Sequence, residues 1–321
     1  MTVVRLGYVA MSMELKNASP SKTMTFAQFQ KISDRDAAIR KLERISQENL
    51  SNTLRILKHN LASGVHFYRL TSRLIPLANH EELIDWNYLH PLKGALREIG
   101  DFVQEHKMRV DFHPDHFVLI NSAKKEILKN SITTLKMHYL LLKAMGIAPA
   151  HRCVMHVGGN YNDTEMALER FIDNWMLVPP AIQNMIMLEN DDTSFTLEDT
   201  LYLCEKLAIP LVFDYHHHLA HHENPDWREH WERIAQTWQH SSLPIKMHIS
   251  IPKDDKSFRH HADFIDIEMF FRFLKEVKGS VPQIDCMIEA KMKDQALFQL
   301  MEEIKVRDDI EIVDQSTFIL K

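Results

Sequence analysis

Cysteine is scarce in this 321-residue chain, and the three present, Cys153, Cys204 and Cys286, are scattered with no Cys-x-x-Cys spacing. That set reads as small buried thiols in a reducing compartment and argues against a disulfide framework. Glycine is scarce too: eight residues, with neither GxGxxG nor GxxxxGK[ST] among them. An open, doubly wound nucleotide-binding sheet therefore lacks its phosphate turn. No apolar run approaches the ~18 to 20 residues that a membrane-spanning helix needs. The opening MTVVRLGYVAMSMEL has neither the apolar length nor the cleavage pattern of a signal peptide, so a cytoplasmic protein with no membrane partner is expected. There is no basic excess: the formal net charge is −6, which counts against tight non-specific binding to nucleic acid but leaves a local basic or metal-loaded groove open. No low-complexity tract or linker divides the chain, and one domain over residues 1–321 is expected.

What is abundant is histidine, with 20 residues in clusters, and apolar residues, at 45 % of the chain. Eight short apolar runs stand out: RLGYVA, VHFYRL, RVDFHP, CVMHV, IMLEN, LVFDY, IKMHIS and CMIEA. Each ends on a polar residue, in order Tyr8, Arg69, His113, His156, Glu189, Asp214, His248 and Glu289. Between the runs lie stretches at helical spacing, such as NLSNTLRILKHNLASG, which sets Leu50, Leu54, Leu57 and Leu61 on one face and stops at Gly64. Strand and helix alternating eight times predicts an α/β fold, a closed (β/α)8 TIM barrel. Residues 11–40 break the rhythm and are expected to form a long loop on the active-site rim.

In such a barrel the C-terminal strand ends share one mouth. His113, His156, Glu189, Asp214, His248 and Glu289 would converge there from six strands. His217, three residues after Asp214, and the loop residues His80 and His261 bring the candidate ligands to nine. Imidazoles and carboxylates without thiolates suit two or three divalent metals, Mn²⁺ first, with Zn²⁺ or Fe²⁺ as alternatives. Glu189 and Glu289 sit among apolar neighbours, and a buried carboxylate needs a cation. Lys246 precedes His248 by two, so both share a strand face. It is expected to be neutral, paired with a carboxylate, or carboxylated so as to bridge metals. Only one residue is taken from each histidine cluster: His217 from DYHHHLAHH and His261 from the HH pair.

These residues, in the segments RLGYVAMS, NLSNTLRILKHN, FYRLTSRLIPLANH, the HP of DFHPDHF, MHVGG, MLENDD, VFDYHHH, KMHIS, HHADFI and MIEAKMK, resemble the UV damage endonuclease family along nearly the whole chain. The resemblance implies incision of UV-damaged double-stranded DNA immediately 5′ to the photoproduct, leaving a 3′-hydroxyl and a 5′-phosphate. It implies the same nine metal ligands and places Lys246 at a position associated with the metal site; Glu189, Asp214, Glu289 and Lys246 are expected to serve the reaction, with Glu189 the candidate carboxylate shared between metals ~3.5 to 4 Å apart. Tyr8 matches a lesion-pocket tyrosine of the family, and Arg69 is expected to hold phosphate. The resemblance departs after the third run: a family pattern HPGQY puts Gln and Tyr against the DNA, where this chain has His116 and Phe117 in HPDHF. A monomer would suffice. The rival readings are a metal-dependent sugar isomerase on the same barrel and a damaged-DNA-binding module without catalysis.

Overall fold

A computed structural model describes all residues 1–321. The first strand, β1 (Thr2–Val9), leads into a loop, a short helix α1 (Phe26–Gln30) and the long helix α2 (Arg35–Ala62). There follow β2 (Phe67–Arg69), α3 (Leu89–Glu105), β3 (Arg109–Asp111), α4 (Lys125–Met145), β4 (Cys153–His156), α5 (Thr164–Trp175), α6 (Pro180–Gln183) and β5 (Ile186–Glu189). The remainder is α7 (Leu197–Leu207), β6 (Leu211–Asp214), α8 (Tyr215–Ala220), α9 (Trp231–Thr237), β7 (Ile245–Ile249), α10 (Ile267–Val277), β8 (Gln283–Ile288), α11 (Lys293–Ile304), β9 (Ile310–Ile312) and β10 (Thr317–Leu320). Strands β1 to β8 are parallel neighbours in the order β3-β2-β1-β8-β7-β6-β5-β4. A single bridge, Phe112 to Cys153, joins the two outer strands and closes the ring. The expected eightfold barrel is therefore observed.

Local chemistry explains the helices. Asp34 caps α2 by accepting from the amides of Asp36 (2.9 Å) and Ala37 (3.2 Å). The buried stripe Ala38, Leu42 and Ile45 continues through Leu50 to Leu57, so α2 starts well before the segment that the leucines alone pick out. The expected rim loop 11–40 is shortened accordingly: residues 35–40 are helix, and α1 interrupts the rest. Met24 and Phe29 are buried, so this segment packs on the barrel. Helix α4 ends on Gly146 at φ +75°, a left-handed cap that suits glycine. A side chain at Gly100 of α3 would collide with the Met145 carbonyl, which is how closely α3 and α4 approach. The hairpin β9–β10, which lays β10 antiparallel on Thr2–Arg5 of β1, was not foreseen; Ile310–Ile312 is short and exposed and carries no strong alternation.

One apolar core of 85 buried residues lies between strands and helices. The barrel interior is polar by contrast and is layered. At its N-terminal end Asp285 sits between Arg5 and Arg109. Above it Lys246 donates to Asp111 at 2.8 Å, both fully buried. The Phe67 ring lies near all three cations, 5.9 Å from Arg5, 5.2 Å from Arg109 and 5.6 Å from Lys246. Two residues further along each strand come the mouth residues.

Candidate metal centre

Glu189, the last residue of β5, is buried at the centre of the mouth. Its Oε2 lies 2.8 Å from His113 Nε2 and 4.0 Å from His156 Nε2. Its Oε1 lies 2.9 Å from His248 Nδ1 and 3.4 Å from His217 Nδ1. Asp214 Oδ2 is 3.7 Å from His217 and 3.9 Å from His248. Glu289 Oε1 is 3.2 Å from His248, and its Oε2 is 3.8 Å from His261. Side chains from β4, β5, β6 and β7 and from the residues following β3 and β8 thus meet within a few ångströms, as parallel pairing such as His156 with Glu189 and Asp214 with His248 requires.

The charges are poorly balanced without a cation. Burial lowers His113 to about 4 and His156 to about 3, so both are neutral imidazoles at pH 7. Burial also pushes His248 well below the usual imidazole range. Burial acts to lower His217 as well, but the charges of Asp214 and Glu289 outweigh it and raise this group to about 9. Burial, with the charges of Asp214 and Glu289, holds Glu189 well above the carboxylate range, whereas Glu289 is held well below it: burial opposes ionisation there, and the Arg69 guanidinium paired with it overcomes that. His113 Nδ1 donates to the Pro114 carbonyl at 3.0 Å, which leaves Nε2 bare and facing Glu189. Two acceptors 2.8 Å apart need a proton between them, and Glu189 supplies it.

A divalent cation fits these donors. Asp214 Oδ2 is buried with no hydrogen-bond partner, and the ligand atoms of His113, His156 and Glu189, of Glu189, Asp214 and His217, and of Asp214, His248 and Glu289 each lie within 4.8 Å of one another. His217 Nδ1 donates to the Asn190 carbonyl (2.9 Å) and His261 Nδ1 pairs with Ser250 Oγ (2.7 Å), the outer contacts that fix imidazole ligands elsewhere. A cation must displace the protons on His217 and Glu189. Loading at pH 7 is therefore expected to release at least one proton, and affinity to fall as the pH drops. Titration calorimetry in two buffers of different ionisation enthalpy measures this; buffer-independent heats would refute it.

Four expectations need correction or refinement. His80 is not in the cluster: its ring stacks on Phe26 with centroids 4.0 Å apart, its Nδ1 caps a short 3₁₀ turn at Glu82, and no carboxylate lies within 4 Å of it. Tyr8 is fully buried and faces the helices, not the mouth, with its hydroxyl donating to Asn60 of α2. Side chains alternate along a strand, and Gly7 and Val9 take the inner positions. Lys246 sits one layer below the ligands and pairs with Asp111, so the carboxylate-paired alternative is the one the geometry matches. Arg69 is at the mouth, but its guanidinium is ion-paired with Glu289. His116 and Phe117 stand on the rim in ring contact at 4.1 Å, with Phe117 67 % exposed, beside a cleft lined by Arg73, Asn79, Asp115 and Thr134.

The model of the family described as "UV-endonuclease UvdE" matches residues 4–319. The chain belongs to this family. It is 52 % identical over 314 residues to a UV DNA damage endonuclease of Halalkalibacterium halodurans, covering 98 % of each chain. It is 42 % identical over 302 residues to one of Bacillus cereus, covering 94 % of this chain and 95 % of that one. Among solved structures, one titled "Crystal Structure of SacUVDE" superposes with a TM-score of 0.82 at 31 % identity, covering 94 % of this chain and 99 % of that one. Endonuclease IV from Thermus thermophilus superposes at 0.54 with 12 % identity over 93 % of this chain and 99 % of that one, which is a likeness of fold alone.

Two residues of the candidate site are not picked out by the sequence. Asn190 exchanges two hydrogen bonds with the Asp214 backbone, at 2.9 and 3.0 Å, and its carbonyl orients His217. Asp111 holds Lys246. Its signal was available, since Asp111 precedes His113 by two just as Lys246 precedes His248. For Asn190 the only hint was its place beside Glu189.

Proposed function

We propose that this chain is a metal-dependent endonuclease that cuts UV-damaged duplex DNA immediately 5′ to the photoproduct, leaving a 3′-hydroxyl and a 5′-phosphate. The observation that carries the reading is the cluster around Glu189, where ligand atoms of His113, His156, Asp214 and His217 close on one buried carboxylate, beside a further group of Asp214, His248 and Glu289. The endonuclease names borne by relatives across the full chain length give the reaction class.

His113, His156, Glu189, Asp214, His217, His248, His261 and Glu289 would hold two or three divalent cations, Mn²⁺ first and Zn²⁺ or Fe²⁺ as alternatives, which would supply an acidified water and charge to stabilise the developing phosphate and the leaving oxygen. Glu189 touches three imidazoles and is the candidate shared ligand. Glu289 holds the Arg69 guanidinium at the mouth, where it is the group best placed to meet a phosphate. Lys246 acts as a positioning residue through Asp111. Phe117 offers a bare aromatic face for a base unstacked at the lesion, with His116 buttressing the ring. A dimerised pyrimidine pair stacks poorly, so bending and unstacking cost less there than in intact duplex. One barrel carries the whole site, so a monomer suffices. No helix is long and apolar enough to cross a membrane.

The test is incision of an oligonucleotide duplex carrying one defined photoproduct, across a metal series, with the cut mapped to the nucleotide. Cleavage at the 5′ side under Mn²⁺ is expected. Sugar turnover without nicking, or binding without nicking, would replace the reading with one of its rivals. Phe117→Ala is expected to lower incision of damaged DNA roughly 5- to 100-fold, the worth of about one stacked base, with metal content unchanged. Equal loss of metal would make Phe117 a structural residue.

A further inference from the structure

A second group of metal-ligating side chains lies outside the barrel, on the helix-facing side of β1. His59 comes from the last turn of α2, Asp294 from the first turn of α11 and Glu14 from the loop after β1. Their ligand atoms all fall within 4.8 Å of one another. Asp294 has a fully buried side chain, yet no Lys or Arg pairs with it. It accepts from the Ser12 hydroxyl and from the Met13 amide at 2.8 Å, which leaves its charge without a counter-ion.

His59 Nε2 stands 3.6 Å from Glu14 Oε2 and 3.6 Å from Asp294 Oδ2. That is too long for a hydrogen bond, and a protonated imidazole bridging two carboxylates would draw in to about 2.8 Å. Two ligands each ~2.0 to 2.2 Å from one cation, at tetrahedral to trigonal angles, lie about 3.3 to 3.8 Å apart. The surroundings point the same way. His59 Nε2 and the Tyr68 hydroxyl oxygen are both buried without a partner. Tyr68 is fully buried, and Asp294 is the leading charge acting on its hydroxyl.

We propose that His59, Glu14 and Asp294 bind a divalent cation of the Zn²⁺ kind, separate from the barrel-mouth cluster, with the Ser12 hydroxyl beside it. One imidazole and two carboxylates leave the fourth position to water. The ion ties the start of the rim loop, Ser12 to Glu14, to α2 and α11 at once. Its role is to hold that loop; it takes no part in the cleavage proposed above.

The probe is Zn²⁺ alone. Anomalous diffraction at the zinc edge from crystals of the intact protein is expected to show a peak within about 2.2 Å of His59 Nε2. Native mass spectrometry after loading in solution is expected to show one zinc fewer in His59→Gln and in Glu14→Gln than in the parent. Glu189→Gln should keep that zinc while losing others. Glu14 is exposed, so its variant folds even if His59→Gln does not. Peaks confined to the barrel mouth, an outer peak with no matching equivalent in solution, or unchanged zinc counts in both variants would each overturn the proposal.

Discussion

Glu189→Gln is expected to lower incision of a photoproduct duplex by about a thousand-fold or more while the metal-free protein melts no earlier than the parent. The two halves of that result have one cause. Glutamine keeps the shape of Glu189 and resembles its protonated form, the form that burial favours. Its amide can donate to the bare His113 Nε2, as the carboxylic proton does. Because the folded pKa of Glu189 lies above its unfolded value, ionisation of this group removes stability as the pH rises between the two. Deleting the charge therefore costs the metal-free fold nothing at neutral pH. It does cost the metal-loaded protein. A cation present at a hundred times its Kd stabilises the native state by about 2.7 kcal/mol, and the glutamine variant forfeits much of this. The signature is an unchanged metal-free Tm, a smaller rise in Tm on adding Mn²⁺, and absent nicking. Nicking that survives the substitution would remove Glu189 from the reaction, and a fall in metal-free Tm would make the loss one of folding.

That candidate site was legible because most of its residues sit at strand ends. Eight runs with a polar terminus leave little freedom once the strands are parallel: register alone brings His156 beside Glu189 and Asp214 beside His248. Loop residues carry no such constraint. His80 and His261 both follow strands, but the loop after β2 turns His80 onto Phe26 whereas that after β7 brings His261 to Glu289. Tyr8 shows the limit within a strand: the run RLGYVA fixes its position but not which face is inward, and glycine at position 7 admits the Phe67 ring that fills the interior. A Cβ there would lie 2.6 Å from that ring, so β1 gives its inner side to Gly7 and its outer side to Tyr8. The outer cluster around Asp294 was invisible for a further reason. Its members come from residues 14, 59 and 294, and only packing of α2 and α11 against β1 joins them.

Asp285→Ala is expected to destabilise the fold by about 3 to 5 kcal/mol, the cost of leaving a buried charge unpaired. Asp285 accepts from Arg5 Nε at 2.9 Å, from Arg109 Nη1 at 2.7 Å and from Gln283 at 2.8 Å, and is fully buried. Arg5 keeps some access to water, but Arg109 is buried and already has Nε and Nη2 without partners. Alanine would leave it only the Pro244 carbonyl, at 2.9 Å, beside the Phe67 ring. In a chain of this length such a loss lowers Tm by on the order of 5 to 10 °C. The pH dependence separates this mechanism from a simple cavity. Burial tends to raise Asp285, but Arg109 and Arg5 overcome it and hold the group below its ordinary value. Its contribution is then full above the unfolded value of about 3.9 and is lost as the pH falls through the folded one. The gap between parent and variant, measured by denaturant melts, should be widest near neutrality and should close on acidification below about pH 4; a cavity penalty would stay constant. Metal content below the melting range should not change, because no atom of this layer touches a ligand: Arg109 and Asp285 lie four residues before His113 and Glu289 on their strands, with the Asp111–Lys246 pair between the layers. A variant that stays stable but loses its metals would mean that the lower layer sets the geometry of the mouth directly, and the division of the barrel into a supporting base and a reacting rim would fail.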